Sequence, residues 1–223
     1  MMNAATGIFL AARHKGLLPS GFIPVAWLDC DTKNRGTTTW RGLGWGAYAQ
    51  TDIVGLTRDT FGLDAYAVEV ASVGEWNFLV GAETTDNQSG FIKVRRYGAN
   101  SAFANDASGL GVIITQGDVL HVTVSNGTTT VNGNSFAGVS SSVVNTSFLC
   151  IGGAQLVASK NDGYKRTWPG LIGPVKVYSE DALVGDFRPA RRESDGIYGF
   201  YCMVSKKFYP SANPQVAFKE GVL

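Results

Sequence analysis

Two Asn-Gly dipeptides, Asn126-Gly127 and Asn132-Gly133, punctuate a run of β-branched residues. Asn-Gly accepts the positive φ of a type I′ turn, whose twist matches that of two paired strands. Val119-Leu120-His121-Val122-Thr123-Val124 precedes the first dipeptide, and Thr128-Thr129-Thr130-Val131 lies between the two. Strand, return, strand, return is an antiparallel meander. A chain committed to that pattern here must bury one face of a sheet.

The same pattern continues from Trp168 to Pro210. Val175, Val177 and Ser179 alternate with Lys176 and Tyr178, the period of a half-buried strand. Glu180-Asp181 is a polar return, and Leu183-Val184 opens the next strand. Pro189 is expected to stop that strand, since proline has no N–H for a ladder. Ser194-Asp195-Gly196 is turn chemistry. Ile197 to Tyr201 and then Phe208-Tyr209 bring a dense set of rings back to the sheet.

Further strands are read at Val25 to Cys30, across Leu63 to Val73, at Trp76-Phe78-Val80, over Phe91 to Arg96 and from Ser147 to Gly153. Glycine is abundant, with 28 residues in 223, and only 17% of the chain is charged. That composition suits many short strands joined by tight turns. About a dozen strands without a long helix predict an all-β domain of two antiparallel sheets packed face to face. Residues 25–223 form that one domain. Residues 1–24 are set apart as an arm, with Ile8-Phe9-Leu10 and Leu17-Leu18 around Arg13-His14-Lys15. The arm either packs on its own domain or docks on a neighbouring subunit.

Lys176-Val177-Tyr178, then Gly185-Asp186-Phe187-Arg188-Pro189, then Gly196 to Tyr201, then Lys207-Phe208-Tyr209 form an ordered set. It resembles the C-terminal signature of laminin G-like, concanavalin A-type jelly-roll modules found in bacteriophage virion proteins and related bacterial proteins. The double Asn-Gly meander resembles the same modules, and Gln50-Thr51-Asp52 loosely echoes a motif of their first strands. The resemblance implies a jelly-roll sandwich. It does not specify an activity.

The chemistry-bearing residues are sparse. A net charge of +1 provides no field to recruit nucleic acid or an anionic membrane. The apolar run in Gly7-Ile8-Phe9-Leu10-Ala11-Ala12 is too short for a signal-peptide core or a membrane span, so a soluble, unsecreted chain is expected. Cys30, Cys150 and Cys202 lack metal-site spacing and are read as three buried thiols, with a Cys30–Cys150 or Cys150–Cys202 bridge as the alternative. Retaining glycoside hydrolysis needs two carboxyl groups about 5 Å apart. The glucanases of this fold carry them on alternate residues of one strand, yet no Glu-x-Asp-x-Glu occurs, and Asp29-x-Asp31 lies at a strand end. Only two histidines are present and no Gly-x-Ser-x-Gly, so no catalytic residue is assigned. Rim oxygens for calcium could come from Asp86, Asn87 and Gln88 or from Asn161 and Asp162, but they form no ligand array, and neither metal nor cofactor is expected.

Sugar recognition uses an exposed ring beside amides and carboxylates. Among Trp40, Trp45, Trp76, Tyr97, Tyr164 and Trp168, the polar loop Lys160 to Arg166 presents Tyr164 best. Tyr164, Asp162, Asn161 and Trp168 are therefore the candidate glycan contacts. Trp27 and Trp76 are read as core. With the resemblance, these residues lead to the expectation of a non-enzymatic virion structural protein, a capsid decoration or a tail or fibre component. It would be made in the host cytoplasm and partnered by other virion proteins and by copies of itself. A host-glycan adhesin is the alternative, and a glycosidase the remote one.

Overall fold

The computed structural model describes residues 18–30, 46–70, 76–82, 92–97, 102–105, 112–138, 140–154, 167–214 and 216–223. Among them the chain is all-β, with no helix, and every strand pair is antiparallel. The larger sheet is centred on β4 (Phe61–Glu69), flanked by β9 (Val119–Ser125) and β13 (Gly170–Ser179). Beyond β9 come β10 (Thr128–Val131) and β11 (Asn134–Ala137). Beyond β13 come β14 (Ala182–Arg192), β15 (Tyr198–Cys202) and β16 (Phe208–Pro210). β1 (Phe22–Pro24) pairs with β14, and β2 (Leu28–Asp29) pairs with β13 and with β17 (Lys219–Glu220). The smaller sheet runs β3 (Ala49–Gln50), β12 (Cys150–Ile151), β5 (Trp76–Ala82), β6 (Ile92–Tyr97), β7 (Ala102–Asn105) and β8 (Val112–Ile113).

Period-2 alternation decides which face is dry. Phe61, Leu63, Ala65 and Ala67 of β4 turn inward with Leu120, Val122 and Val124 of β9 and Val175 and Val177 of β13. They share one core cluster with Val80 and Ala82 of β5, Ile92 and Val94 of β6 and Ile151 of β12. The two sheets thus bury their inner faces in a common core, as a β-sandwich does. Each fully buried aliphatic or aromatic side chain there contributes about 1.5–3 kcal/mol relative to exposure. Cys30, Cys150 and Cys202 are buried free thiols, not a bridge.

Both Asn-Gly returns form as read. Asn126 and Gly127 have φ of +48° and +69°, and Asn132 and Gly133 have +49° and +87°. Both residues of each pair occupy the left-handed region, which a type I′ turn demands.

Three expectations need correction or completion. Pro189 does not stop its strand, because β14 continues through it to Arg192. Met203 N donates to Asp186 O and Arg192 N donates to Ile197 O, so the even-numbered residues of β14 exchange bonds with β15. The odd-numbered residues face the other neighbour. Pairing with β13 runs out there at Phe187 and pairing with β1 starts at Ala190, so Pro189 sits where no ladder N–H is required. The strand read across Leu63 to Val73 begins at Phe61, two residues earlier, and residues 71–73 lie outside the described residues. Of the arm, Phe22–Pro24 pairs in cis as β1, while residues 1–17 lie outside the described residues.

Candidate functional site

Of the four candidate glycan contacts, Tyr164, Asp162 and Asn161 lie outside the described residues, as do Asp86, Asn87 and Gln88. Trp168 belongs to the core. It is fully buried, its Nε1 donates to Val68 O at 3.0 Å, and its backbone N donates to Gly152 O at 2.9 Å. Its ring is not available to a sugar. It shares the inward phase with Ile172, and a β-bulge between Ile172 and Val175 then shifts that phase to the odd-numbered residues. Trp27 is buried as expected.

The outer face of the larger sheet carries a groove that the sequence reading did not find. It has a volume of about 240 Å³ and opens where β4 begins, between the end of β9 and the β13–β14 return. Gly62 makes its floor. Gly62 pairs with Tyr178, and a Cβ on Gly62 would stand 2.9 Å from the Tyr178 Cβ and 3.6 Å from its Cδ2. Tyr178 therefore leans over the space that Gly62 leaves, and its half-buried ring forms one wall. Thr123, Ser125 and Asn126 from β9 and its turn form the opposite wall. Asp59, Glu180 and Asp181 stand at the lip.

Local hydrogen bonds fix this lip. Thr57 and Thr60 cap one another, each backbone N donating to the other's hydroxyl at 3.1 Å. Asp59 Oδ1 accepts from Ser140 Oγ at 2.6 Å and from Ser141 N at 2.8 Å. Glu180 N donates to Thr60 O at 2.6 Å, which ties the β13–β14 return to the start of β4. The walls are thus set before any ligand arrives, and preorganisation reduces the cost of binding. The signal that could have found the site is Gly62 itself, a glycine on the outward phase of an alternating strand, where close approach of a ligand or backbone is a common reason.

From the groove, polar side chains continue along the same face. Asp64 pairs across β13 with Lys176, and its Oδ1 lies 2.9 Å from His121 Nε2. The His121 ring stacks on Tyr66, with centroids 4.6 Å apart and planes inclined by 11°. This trio is exposed or half-exposed, and the groove lining holds neither histidine nor cysteine. Among the described residues no group of three His, Cys, Asp or Glu is placed to hold a metal ion. The groove offers hydroxyls, one amide, carboxylates and one ring, the equipment of binding. Comparison of the chain with protein-family models, with curated proteins and with solved structures finds no match.

Proposed function

We propose that this chain is a non-enzymatic structural protein of a bacteriophage virion, a jelly-roll module that decorates a capsid or builds a tail or fibre. The observation that carries the reading is the behaviour of the residues behind the resemblance. Lys176-Val177-Tyr178, Gly185 to Pro189, Tyr198 to Tyr201 and Phe208-Tyr209 fall on four consecutive strands, β13 to β16, each paired with the next, while Gly196, Ile197 and Lys207 lie in the connections before β15 and β16. Val177, Phe187, Phe200 and Tyr209 all enter the common core. These strands pack as one unit, which supports the reading. Symmetric self-association is the ordinary assembly mode for such a part. Val54, Val144 and Phe148 supply exposed apolar surface on two segments joined by backbone bonds from Gly55 N to Asn145 O and from Leu149 N to Ile53 O.

The test is mass spectrometry of particles banded from the source culture, with light scattering of the purified chain. Stoichiometric recovery in particles together with a closed oligomer supports the reading. A monomer that is absent from particles rejects it.

A further inference from the structure

We propose that Asn126 is a site of spontaneous deamidation in the folded chain, and that two hydrogen bonds spare Asn132. The chain holds two Asn-Gly dipeptides, the pair most open to this reaction because glycine has no Cβ to shield its backbone nitrogen. The Gly127 nitrogen loses its proton and attacks Cγ of Asn126. The new C–N bond closes a succinimide as the Cγ–Nδ2 bond breaks and ammonia leaves. Water then opens either carbonyl of the ring. The product is aspartate, or isoaspartate where the main chain runs on through Cγ, and in both a carboxylate replaces the neutral amide.

Side-chain bonds separate two sites that turn chemistry makes alike. Both are two-residue type I′ returns, with asparagine φ of +48° and +49°, so the backbone asks the same of each. Both asparagines are exposed, and neither glycine nitrogen donates a hydrogen bond among the described residues. Asn132 Oδ1 accepts from His121 N at 2.8 Å, and its Nδ2 donates to Val119 O at 3.1 Å. To reach Gly133 N, the Asn132 carboxamide must give up both bonds. The Asn126 carboxamide makes no hydrogen bond among the described residues, so it gives up none.

Conversion of Asn126 changes the end of β9. Asn126 lines the groove over Gly62, so the new carboxylate joins Asp59, Glu180 and Asp181 there. The net charge at pH 7 falls by one, from +1 to 0. Isoaspartate also adds a methylene to a two-residue return, and loop length is what sets the Ser125–Thr128 register. The change accumulates with the age of the chain and does not depend on assembly into a virion.

The experiment holds the full chain at mildly alkaline pH, once folded and once in guanidinium. Mass spectrometry with electron-transfer fragmentation follows the two sites separately and identifies isoaspartate. In the folded chain Asn126 is expected to convert about tenfold faster than Asn132 or more, since each bond is worth roughly two- to tenfold. In guanidinium the two rates are expected to converge. Ion exchange is expected to show an early acidic species that Asn126→Gly lacks, a variant that keeps the positive φ without steric cost. Equal rates in the folded chain, or faster loss at Asn132, overturn the proposal. So does a ratio that persists in guanidinium, which would belong to the neighbouring residues and not to the fold. An Asn126 that stays intact while the denatured chain reacts overturns it as well.

Discussion

The Tyr209 hydroxyl donates a hydrogen bond to Asp52 Oδ1 at 2.6 Å, although the two residues stand 157 positions apart. Tyr209 lies on β16 in the larger sheet, and Asp52 follows β3 in the smaller one. The bond therefore pins the two sheets together beside the core. Lys207 Nζ holds Asp52 Oδ2 at 2.7 Å, and Ser205 Oγ lies 3.1 Å from the Tyr209 hydroxyl. The hydrogen bonds from Lys207 and then Tyr209 keep the Asp52 carboxyl below the usual carboxylate range. Burial, and next the Asp52 carboxylate, push the Tyr209 phenol up to about 12.

This raised value sets an alkaline limit on stability. The folded chain holds the Tyr209 proton more tightly than the unfolded chain, whose phenol titrates near 10. The contribution is therefore complete below pH 10 and is lost as pH rises towards about 12. Tyrosinate absorbance should show a late-titrating phenol that is lost in Tyr209→Phe, and the melting temperature of the unsubstituted chain should fall more steeply over that window. Asp52 acts with the opposite sign: its contribution is present above the ordinary carboxylate range and is lost as pH falls through its depressed value. A late-titrating absorbance whose amplitude Tyr209→Phe leaves unchanged contradicts the assignment.

The two partners of Asp52 differ in value. Lys207 is well exposed, with 62% of its side chain open to water, and a surface pair of this kind contributes under about 1 kcal/mol. Tyr209 is only 9% exposed, so losing its acceptor leaves a desolvated hydroxyl with Ser205 alone. Urea denaturation should therefore place Asp52→Ala about 1–2 kcal/mol below the unsubstituted chain and Lys207→Ala within about 0.5 kcal/mol of it. Equal losses would mean that the ion pair, not the phenol, holds the sheets.

Trp168 allows a sharper test of core against surface. Removing a buried indole creates a cavity and takes away its bond to the Val68 carbonyl, at about 3–5 kcal/mol, a large fraction of the roughly 5–15 kcal/mol available to a domain. Trp168→Ala should lower the melting temperature and bring out molten behaviour, while Trp168→Phe should recover most of the loss. A variant of unchanged stability would return Trp168 to the surface.

What could be read in the sequence was local. Alternation placed Val175 and Val177 inside, and Asn126-Gly127 and Asn132-Gly133 marked their turns, because each depends on neighbours in the chain. Trp168 was misplaced because it follows a polar loop in the chain, whereas its burial is set by the carbonyl of Val68, 100 positions away. Pro189 was misread because its tolerance depends on where pairing with β13 stops and pairing with β1 starts, at Val175 and Pro24, which are 14 and 165 positions away. The groove brings together Gly62, Thr123 and Tyr178 from three strands, and the sheet latch joins Asp52 to Tyr209. Contacts at that separation follow from sheet order, which short-range patterns do not encode.

The return from β13 to β14 exposes a conflict between turn chemistry and the site. The β9–β10 and β10–β11 returns place Asn at φ +48° and +49°, whereas the β15–β16 return has Lys206 at +59° and this one has Glu180 at +55°. A non-glycine residue there costs roughly 1–2 kcal/mol, and asparagine tolerates it best. Glu180 lies at the lip of the groove, where asparagine would serve the turn better but remove a carboxylate. Glu180→Asn should therefore raise stability by about 0.5–1 kcal/mol in thermal melts. An unchanged melting temperature would show that the positive φ at this return carries no such cost. A loss of stability would show that its contacts at the lip outweigh the backbone cost.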